Sequence, residues 1–379
     1  MGDPGTGMLL GERTARPGAA TLQEWDRLVE QSPGSDLVQL SAWSEVRAAV
    51  GFTASYVFVR EGERLVAGAQ ILHRRVPVLG SFGYLPYGPL IAPWADRERV
   101  RRVLAAELAA VARRSRMFFV QPPAGADDVS RELLARGFRR SDADIAPAAT
   151  LQVDLTVDEA ELCGRLSRRL RRWIRRWPER GVSVRVGGPA DIEMFAQLVA
   201  TTAQHQGFAP MPAEYLARMH ERLAPGGNAV LLVGEVHGRP VAAELFTACG
   251  GVAGSRFCGF DRSAESARLN VASAVTWEGI RWARSHGHRV FDFGGLDPQT
   301  LESLPEGDGF AVGEIEGPDR FKAKFGGRLV RYPTAVEYVP SAVVRRLYDA
   351  ARNRPAGRRV LGAARAVLRG QRRLWPWRS

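Results

Sequence analysis

The chain has 379 residues, too many for one small hydrophobic core, so two domains are expected. Its apolar share, 45%, is that of a water-soluble globular protein, and no run of 18 or more apolar residues is present to make a transmembrane helix. The formal net charge of +12 is concentrated in two stretches, with eight arginines and one acid in 165–180 and eleven arginines and one acid in 343–379. Such patches attract phosphate-bearing partners, whether nucleic acid, anionic lipid or a nucleotide-linked substrate; the plainer reading is a solvated arginine surface. The cysteines, Cys163, Cys249 and Cys258, are odd in number and form no CxxC, so buried reduced thiols are expected. The HGH at 286–288 falls where a helix should end and a strand begin. Neither a metal nor a cofactor is expected.

Residues 1–20 lack a basic segment followed by an apolar core, and read as a disordered tail rather than a signal peptide; a cytoplasmic protein is expected. From there one plan occurs twice. "SYVFVREGERLVAGAQILHRRV" (55–76) and "AVLLVGEVHGRPVAAELFTACGG" (229–251) are each an apolar strand, a Gly-containing turn and a second apolar strand. A further strand follows each, at 82–92 and 254–262. Helical periodicity comes next, at 97–115 and 267–287, with Val100, Val103, Leu104 and Leu108 on one face. A buried-looking strand closes each half, "MFFVQPP" (117–123) and "RVFDFGG" (289–295). The chain therefore reads as an α/β protein built by tandem duplication, with domains at 21–150 and 151–340 and a basic helical tail at 341–379. Hairpin, strand, helix, strand is the core order of the GNAT acyltransferase fold, which holds acyl donor and acceptor between splayed central strands; that order alone does not fix the chemistry.

The joint between the halves is itself basic. Thr156 with Glu159 fits a capping box at the start of a helix. Leu166, Leu170, Trp173 and Ile174 keep helical spacing, so arginines face outward from an apolar stripe. Trp177-Pro178 and Gly181 end this segment before the strand "VSVRV". Further on, "FKAKF" (321–325) holds Lys322 and Lys324, the only lysines among 53 basic side chains. An ammonium is a compact, mobile point charge whose pKa moves, whereas a guanidinium is a planar fork that stays charged.

These residues resemble the Fem-type (FemABX) aminoacyl-tRNA-dependent peptidyltransferases. The likeness runs from about residue 22 to 340 and rests on five motifs in order: "SDLVQLSAWSEVRAAVGF" (35–52), "GYLPYGPLI" (83–91), "RRLRRWIRRWPERGV" (168–182), "RVFDFGGLD" (289–297) and "FKAKFGG" (321–327). The resemblance implies two GNAT-like domains, an aminoacyl-tRNA donor, and a free amine of a peptidoglycan precursor as acceptor. Three positions depart from the family pattern. The opening motif ends in Arg47 where lysine is usual, Met211 stands where users of UDP-linked precursor carry arginine, and Gln121 replaces an acid. These departures leave the acceptor open among UDP-linked precursor, lipid-linked precursor and an antibiotic or small peptide. An acyl-CoA N-acyltransferase is the remaining enzyme reading, but the pyrophosphate-binding turn it needs is absent before both helices.

Amine attack on an activated ester requires alignment, oxyanion stabilisation and one proton transfer. By resemblance Lys322 lies at the tRNA acceptor end and is the expected catalytic charge. Asp292 reads either as a group positioning the amine or Lys322, or as a structural carboxylate. Substrate contacts are expected from Trp43, Arg47, Tyr84, Tyr215, Gly294, Gly295 and Phe321; packing is the alternative for the two tyrosines and for Phe321. Arg168, Arg169, Arg171, Arg172, Arg175, Arg176 and Lys324 form the expected tRNA surface. No general base stands out. Trp375 and Trp377 beside arginines in the tail suit peripheral contact with the inner face of a membrane, and equally base stacking.

Overall fold

The structure, a computed structural model, describes residues 8–76, 80–207, 209–303, 315, 317–357, 359 and 361–362. The chain divides into two units, one of 1–146 together with 332–379 and one of 147–331.

The first unit begins with β1 (Leu9–Thr14), which corrects the expectation of a disordered tail over 1–20 from Leu9 onward. β1 pairs antiparallel with β2 (Thr53–Glu61) from Leu9↔Glu61 to Thr14↔Tyr56, covering an edge that β2 would otherwise expose. α1 (Ala19–Gln31) and α2 (Ser41–Ala48) follow. Trp25 of α1 is fully buried, and its indole N–H donates to the Gln39 carbonyl at 2.7 Å. β3 (Arg64–Val76), β4 (Gly80–Pro86) and the short β5 (Leu90–Ile91) continue the sheet. α3 (Arg97–Arg114) starts at Asp96, whose carboxylate accepts the N–H groups of Glu98 and Arg99. Val100, Leu104 and Leu108 turn its apolar stripe into the core. β6 (Met117–Gln121), α4 (Asp127–Ala135) and β7 (Arg139–Arg140) complete this part.

The second unit runs through β8 (Ala149–Asp154), α5 (Glu159–Arg165), α6 (Arg168–Arg176), β9 (Val182–Val186), α7 (Ile192–Gln206) and α8 (Ala213–Leu223). It continues with β10 (Ala229–Val236), β11 (Arg239–Cys249), β12 (Val252–Phe260), α9 (Ala264–Leu269), α10 (Val271–Ser285) and β13 (Val290–Gly295). α11 (Pro298–Ser303), α12 (Gly317–Ala323) and β14 (Arg328–Arg331) end it. The strand order is β14-β8-β13-β12-β11-β10-β9. The expected cap at Thr156 is corrected: Thr156 bonds Asp154, and Asp158 caps α5 by accepting the Glu161 N–H at 2.7 Å. The basic segment is also two helices rather than one, because Leu166 is extended and the Ser167 hydroxyl caps α6.

The chain then returns to the first unit. β15 (Val336–Tyr338) inserts between β6 and β7, giving the order β1-β2-β3-β4-β6-β15-β7. α13 (Ala342–Arg352) is fastened by Asp349 to Arg139 and by Arg352 to Asp142. Residues 332–340 therefore lie in the first unit and not the second, and α13 is tied to that unit. The reason is physical: Glu337 is fully buried and takes the Arg139 guanidinium at 2.8 Å and the Ser141 hydroxyl at 2.8 Å. The last seventeen residues, with Trp375 and Trp377, lie outside the described residues.

Candidate functional site

In the first unit the parallel strands β4 and β6 stay paired over five residues, Phe82↔Met117 to Pro86↔Gln121. In the second the equivalent pair, β12 and β13, holds for three, Val252↔Val290 to Gly254↔Asp292. A Cβ on Gly254 would lie 2.6 Å from the Asp292 carbonyl, so this last close approach requires glycine. Gly294 then adopts φ +75°, and the pairing of β13 with β8, which starts at Val290↔Asp154, shifts register between Asp292↔Gln152 and Gly295↔Thr150. Asp292 holds the turn at Gly294. One carboxylate oxygen accepts the Gly294 N–H at 2.7 Å and the Thr150 hydroxyl at 2.5 Å, and the other accepts the Gln152 amide at 2.9 Å. Beyond Gly254, β12 continues to Phe260 without β13 beside it, which opens the sheet.

Lys322 reaches the end of β13. Its ammonium donates to the Gly295 carbonyl and lies 2.9 Å from the buried Asp319 carboxylate. Asp319 in turn accepts the Asp297 N–H at 2.7 Å, so α12 and the β13 turn are locked together. Phe321 packs edge-on to Phe325, itself 5.2 Å from Phe293, so an aromatic ladder runs from Phe291 outward to a half-buried Phe321. The Lys324 ammonium sits 5.7 Å from the Phe321 ring. Burial lowers its pKa, and Arg169 and Arg320 lower it further. The Lys324 carbonyl accepts the Ser167 N–H at 2.8 Å, joining this loop to the start of α6.

On α6, Leu170 is buried while Trp173 and Ile174 are half-buried against the core. Arg168, Arg169, Arg172, Arg175 and Arg176 are exposed, and among the described residues none forms an ion pair. Arg171 is half-buried and donates to the Gly164 carbonyl at 3.3 Å.

Two groups near the opening were not singled out from the sequence. Glu244 of β11 is 5% exposed; Ser255 of β12 donates to one of its oxygens and Thr276 of α10 to the other at 2.8 Å. Burial raises its pKa to about 7. Cys258, paired opposite Glu244, is exposed, which corrects the expectation that all three thiols are buried; its strand has left β13 behind by that point. Lys322 lies within electrostatic reach of Cys258, as does Glu244. A lone carboxylate inside the apolar run "VAAELFTAC" was the available signal.

In the first unit Arg47 and Arg74 are 5% and 8% exposed, and both face the Phe52 ring, at 4.1 and 5.3 Å. Burial lowers the Arg74 pKa, and the neighbouring Arg47 charge lowers it further. Sequence reasoning found Arg47 and missed Arg74. Trp43 is buried in α2 and Tyr215 is buried on α8, edge-on to Phe257, so both rings sit in packing environments. Tyr84 is half-buried against Met117, Phe119 and Val339. Gln121 is buried and donates to the carbonyls of Pro122 and Pro333, and Met211 is buried.

Residues 20–125 match the model of the FemAB family, and residues 164–311 match that of an acetyltransferase (GNAT) domain. The chain is similar to Fem-type, GNAT-related proteins. It is 26% identical over 239 residues to a lipid II:glycine glycyltransferase of Staphylococcus saprophyticus, covering 59% of this chain and 57% of that protein. To the protein of the same description from Staphylococcus aureus MRSA252 it is 26% identical over 225 residues, covering 56% and 53%. The match thus spans little more than half the length of these relatives. The fold is similar to that of crystalline FemX, with a TM-score of 0.71 at 19% identity over 89% of this chain and 99% of that one. A tandem GNAT protein of the clavulanic acid pathway follows at 0.53 and 15%, over 88% and 99%. The tandem GNAT-like duplication is accordingly the architecture of this chain.

Proposed function

We propose that this protein is an aminoacyltransferase that takes an amino acid from a charged tRNA and forms an amide with a free amine of a peptidoglycan precursor. One observation carries the reading: the opened end of β12 and β13, with Lys322 at its margin and Ser167, the N-cap of the arginine-bearing α6, bonded through its N–H to the Lys324 carbonyl. The naming of the relatives as lipid II:glycine glycyltransferases supports the acceptor class. In this reading α6 and Lys324 hold the tRNA backbone, Phe321 meets the terminal base, and the Lys322 ammonium stabilises the oxyanion formed when the amine attacks the ester. Gly294 and Gly295 let the backbone approach the donor. Arg47 and Arg74 bind acceptor phosphate: two neighbouring buried guanidiniums repel each other, and an anion would relieve that cost. Tyr84 lines the acceptor path, while Trp43, Tyr215 and Asp292 shape their surroundings from packed positions.

The test is transfer of labelled amino acids from total charged tRNA, with RNase-treated and acyl-CoA controls, to UDP-linked and lipid-linked precursors offered separately. RNase-sensitive transfer, reduced about 100-fold or more in Lys322→Ala, is expected. Transfer from acyl-CoA alone would overturn the reading. The buried Met211 and Gln121, uncharged where family members carry charge, favour a second acceptor class, an antibiotic or small peptide. Transfer to such an acceptor, and to neither precursor, would select it.

A lipid-linked acceptor calls for membrane contact. Among the described residues no helix is long and apolar enough to cross a membrane. α13 instead exposes Val343 and Leu347 one turn apart, beside Arg345 and Arg346, which suits binding at an anionic lipid surface. The full chain should co-sediment with anionic vesicles, and a chain lacking 341–379 should not; equal sedimentation would remove the membrane role.

A further inference from the structure

Attack by an amine leaves a proton on nitrogen that must be removed, and neither Lys322 nor Asp292 is placed to take it. Lys322 already donates to Gly295 and faces the Asp319 carboxylate. Asp292 is saturated by the turn it organises. Glu244 differs from both. It is a buried carboxyl that, among the described residues, has no ion pair. Burying a carboxylate without a cation is costly, and packing alone would be served by an apolar side chain.

Its hydrogen-bonding ring tolerates both protonation states. When Glu244 is ionised, Thr276 donates to it at 2.8 Å. The same Thr276 hydroxyl also lies 3.1 Å from the Ala272 carbonyl. When Glu244 is protonated, Thr276 can donate to Ala272 and accept from the carboxyl. On the other side Ser255 donates to the remaining oxygen. Ser255 is half-buried and is the first residue of β12 past the last β13 pair, at Gly254↔Asp292. Its carbonyl is 3.8 Å from where a Cβ on Gly294 would stand, so it sits at the mouth of the opening.

We propose that Glu244 and Ser255 form a proton relay for the acceptor amine, Ser255 touching the amine and Glu244 receiving the proton. This inference rests on the transferase reading above. The amine nitrogen bonds to the ester carbonyl carbon and passes its proton to the Ser255 oxygen, while the Ser255 proton moves to Glu244. On collapse the carbon–oxygen bond to the ribose breaks, and the proton returns through Ser255 to the departing ribose oxygen. One proton leaves nitrogen and one reaches oxygen, so the relay ends as it began. The groups facing Glu244 are Thr276 from α10 and Ser255 and Cys258 from β12, with Lys322 of α12 within reach of Cys258.

The full-length protein is assayed for tRNA-dependent transfer across about pH 5 to 9, with Glu244→Gln, Ser255→Ala and Ser255→Thr beside the wild type. The wild-type kcat should rise with pH as Glu244 ionises. Glu244→Gln and Ser255→Ala should each lower kcat about 100-fold at little change in acceptor KM, Glu244→Gln should lose the pH-dependent rise, and Ser255→Thr should restore activity. A persisting rise in Glu244→Gln, or kcat within about threefold of wild type in Ser255→Ala, would overturn the relay alone. Should Glu244→Gln fail to fold, Ser255→Ala and its Thr counterpart decide, since their site is half-buried. A wild type that transfers from no charged tRNA would instead defeat the transferase reading and the relay with it.

Discussion

At Glu244 the surrounding protein favours the neutral carboxyl, because burial outweighs the two hydroxyl donors. Its pKa moves up from 4.5 to about 7. Between those values the folded chain binds a proton that the unfolded chain releases, so the stabilisation is complete below the unfolded pKa and is lost as pH rises through the folded one. The full loss is on the order of 3 kcal/mol. Urea unfolding at about pH 5 and pH 8 should show the wild type losing most of that amount relative to Glu244→Gln, whose amide does not titrate. Parallel losses in the two proteins would mean that water reaches the carboxyl. Lys322 was legible in the sequence because lysine is so rare in this chain. Arg74 was not, since one arginine among 51 carries no signal until Arg47 and Phe52 are seen beside it. The close Glu244–Ser255 contact was hidden for another reason. It depends on a shift in register between Leu245 and Phe246, which pairs Phe246 with Ser255 and leaves Arg256 as the extra residue.

At the scale of elements, α6 has its apolar face spent on the core and its arginines turned outward without carboxylate partners among the described residues. Replacing Arg168, Arg169, Arg172 and Arg175 by alanine should weaken tRNA binding roughly tenfold or more and flatten its dependence on salt, because fewer counterions are released. Filter binding over a salt series measures both, and an unchanged slope would detach α6 from RNA. The hairpins β2–β3 and β10–β11 were legible from their alternation and glycine turns, and α3 from its periodicity. The break at Leu166–Ser167 was not, because the arginine spacing runs through it; the Ser167 cap and the Ser167–Lys324 backbone bond impose it from outside the segment. Asn270, at φ +57°, divides the predicted helix 267–287 in the same way. β1 was missed because a short edge strand with four exposed positions out of six has almost no apolar signature.

At the scale of the whole chain, the repeated hairpin–strand–helix–strand plan was visible because each repeat needs the same apolar runs to cover its sheet. What distinguishes the repeats was not visible. Five paired residues keep β4 and β6 together, whereas three leave β12 and β13 apart, and only the second unit acquires an opening there. The return of the chain was also hidden, since three residues at 336–338 are too few to announce a strand. That return imposes an order on synthesis. Among the described residues β7 has no ladder partner other than β15, and β6 offers one free edge to it. A ribosome therefore releases all of 147–331, enough for the second unit to fold, while the first still waits for its closing strand. The unit begun first is finished last, and its nascent form holds an open sheet edge through that interval, exposed to any other strand that arrives before Val336.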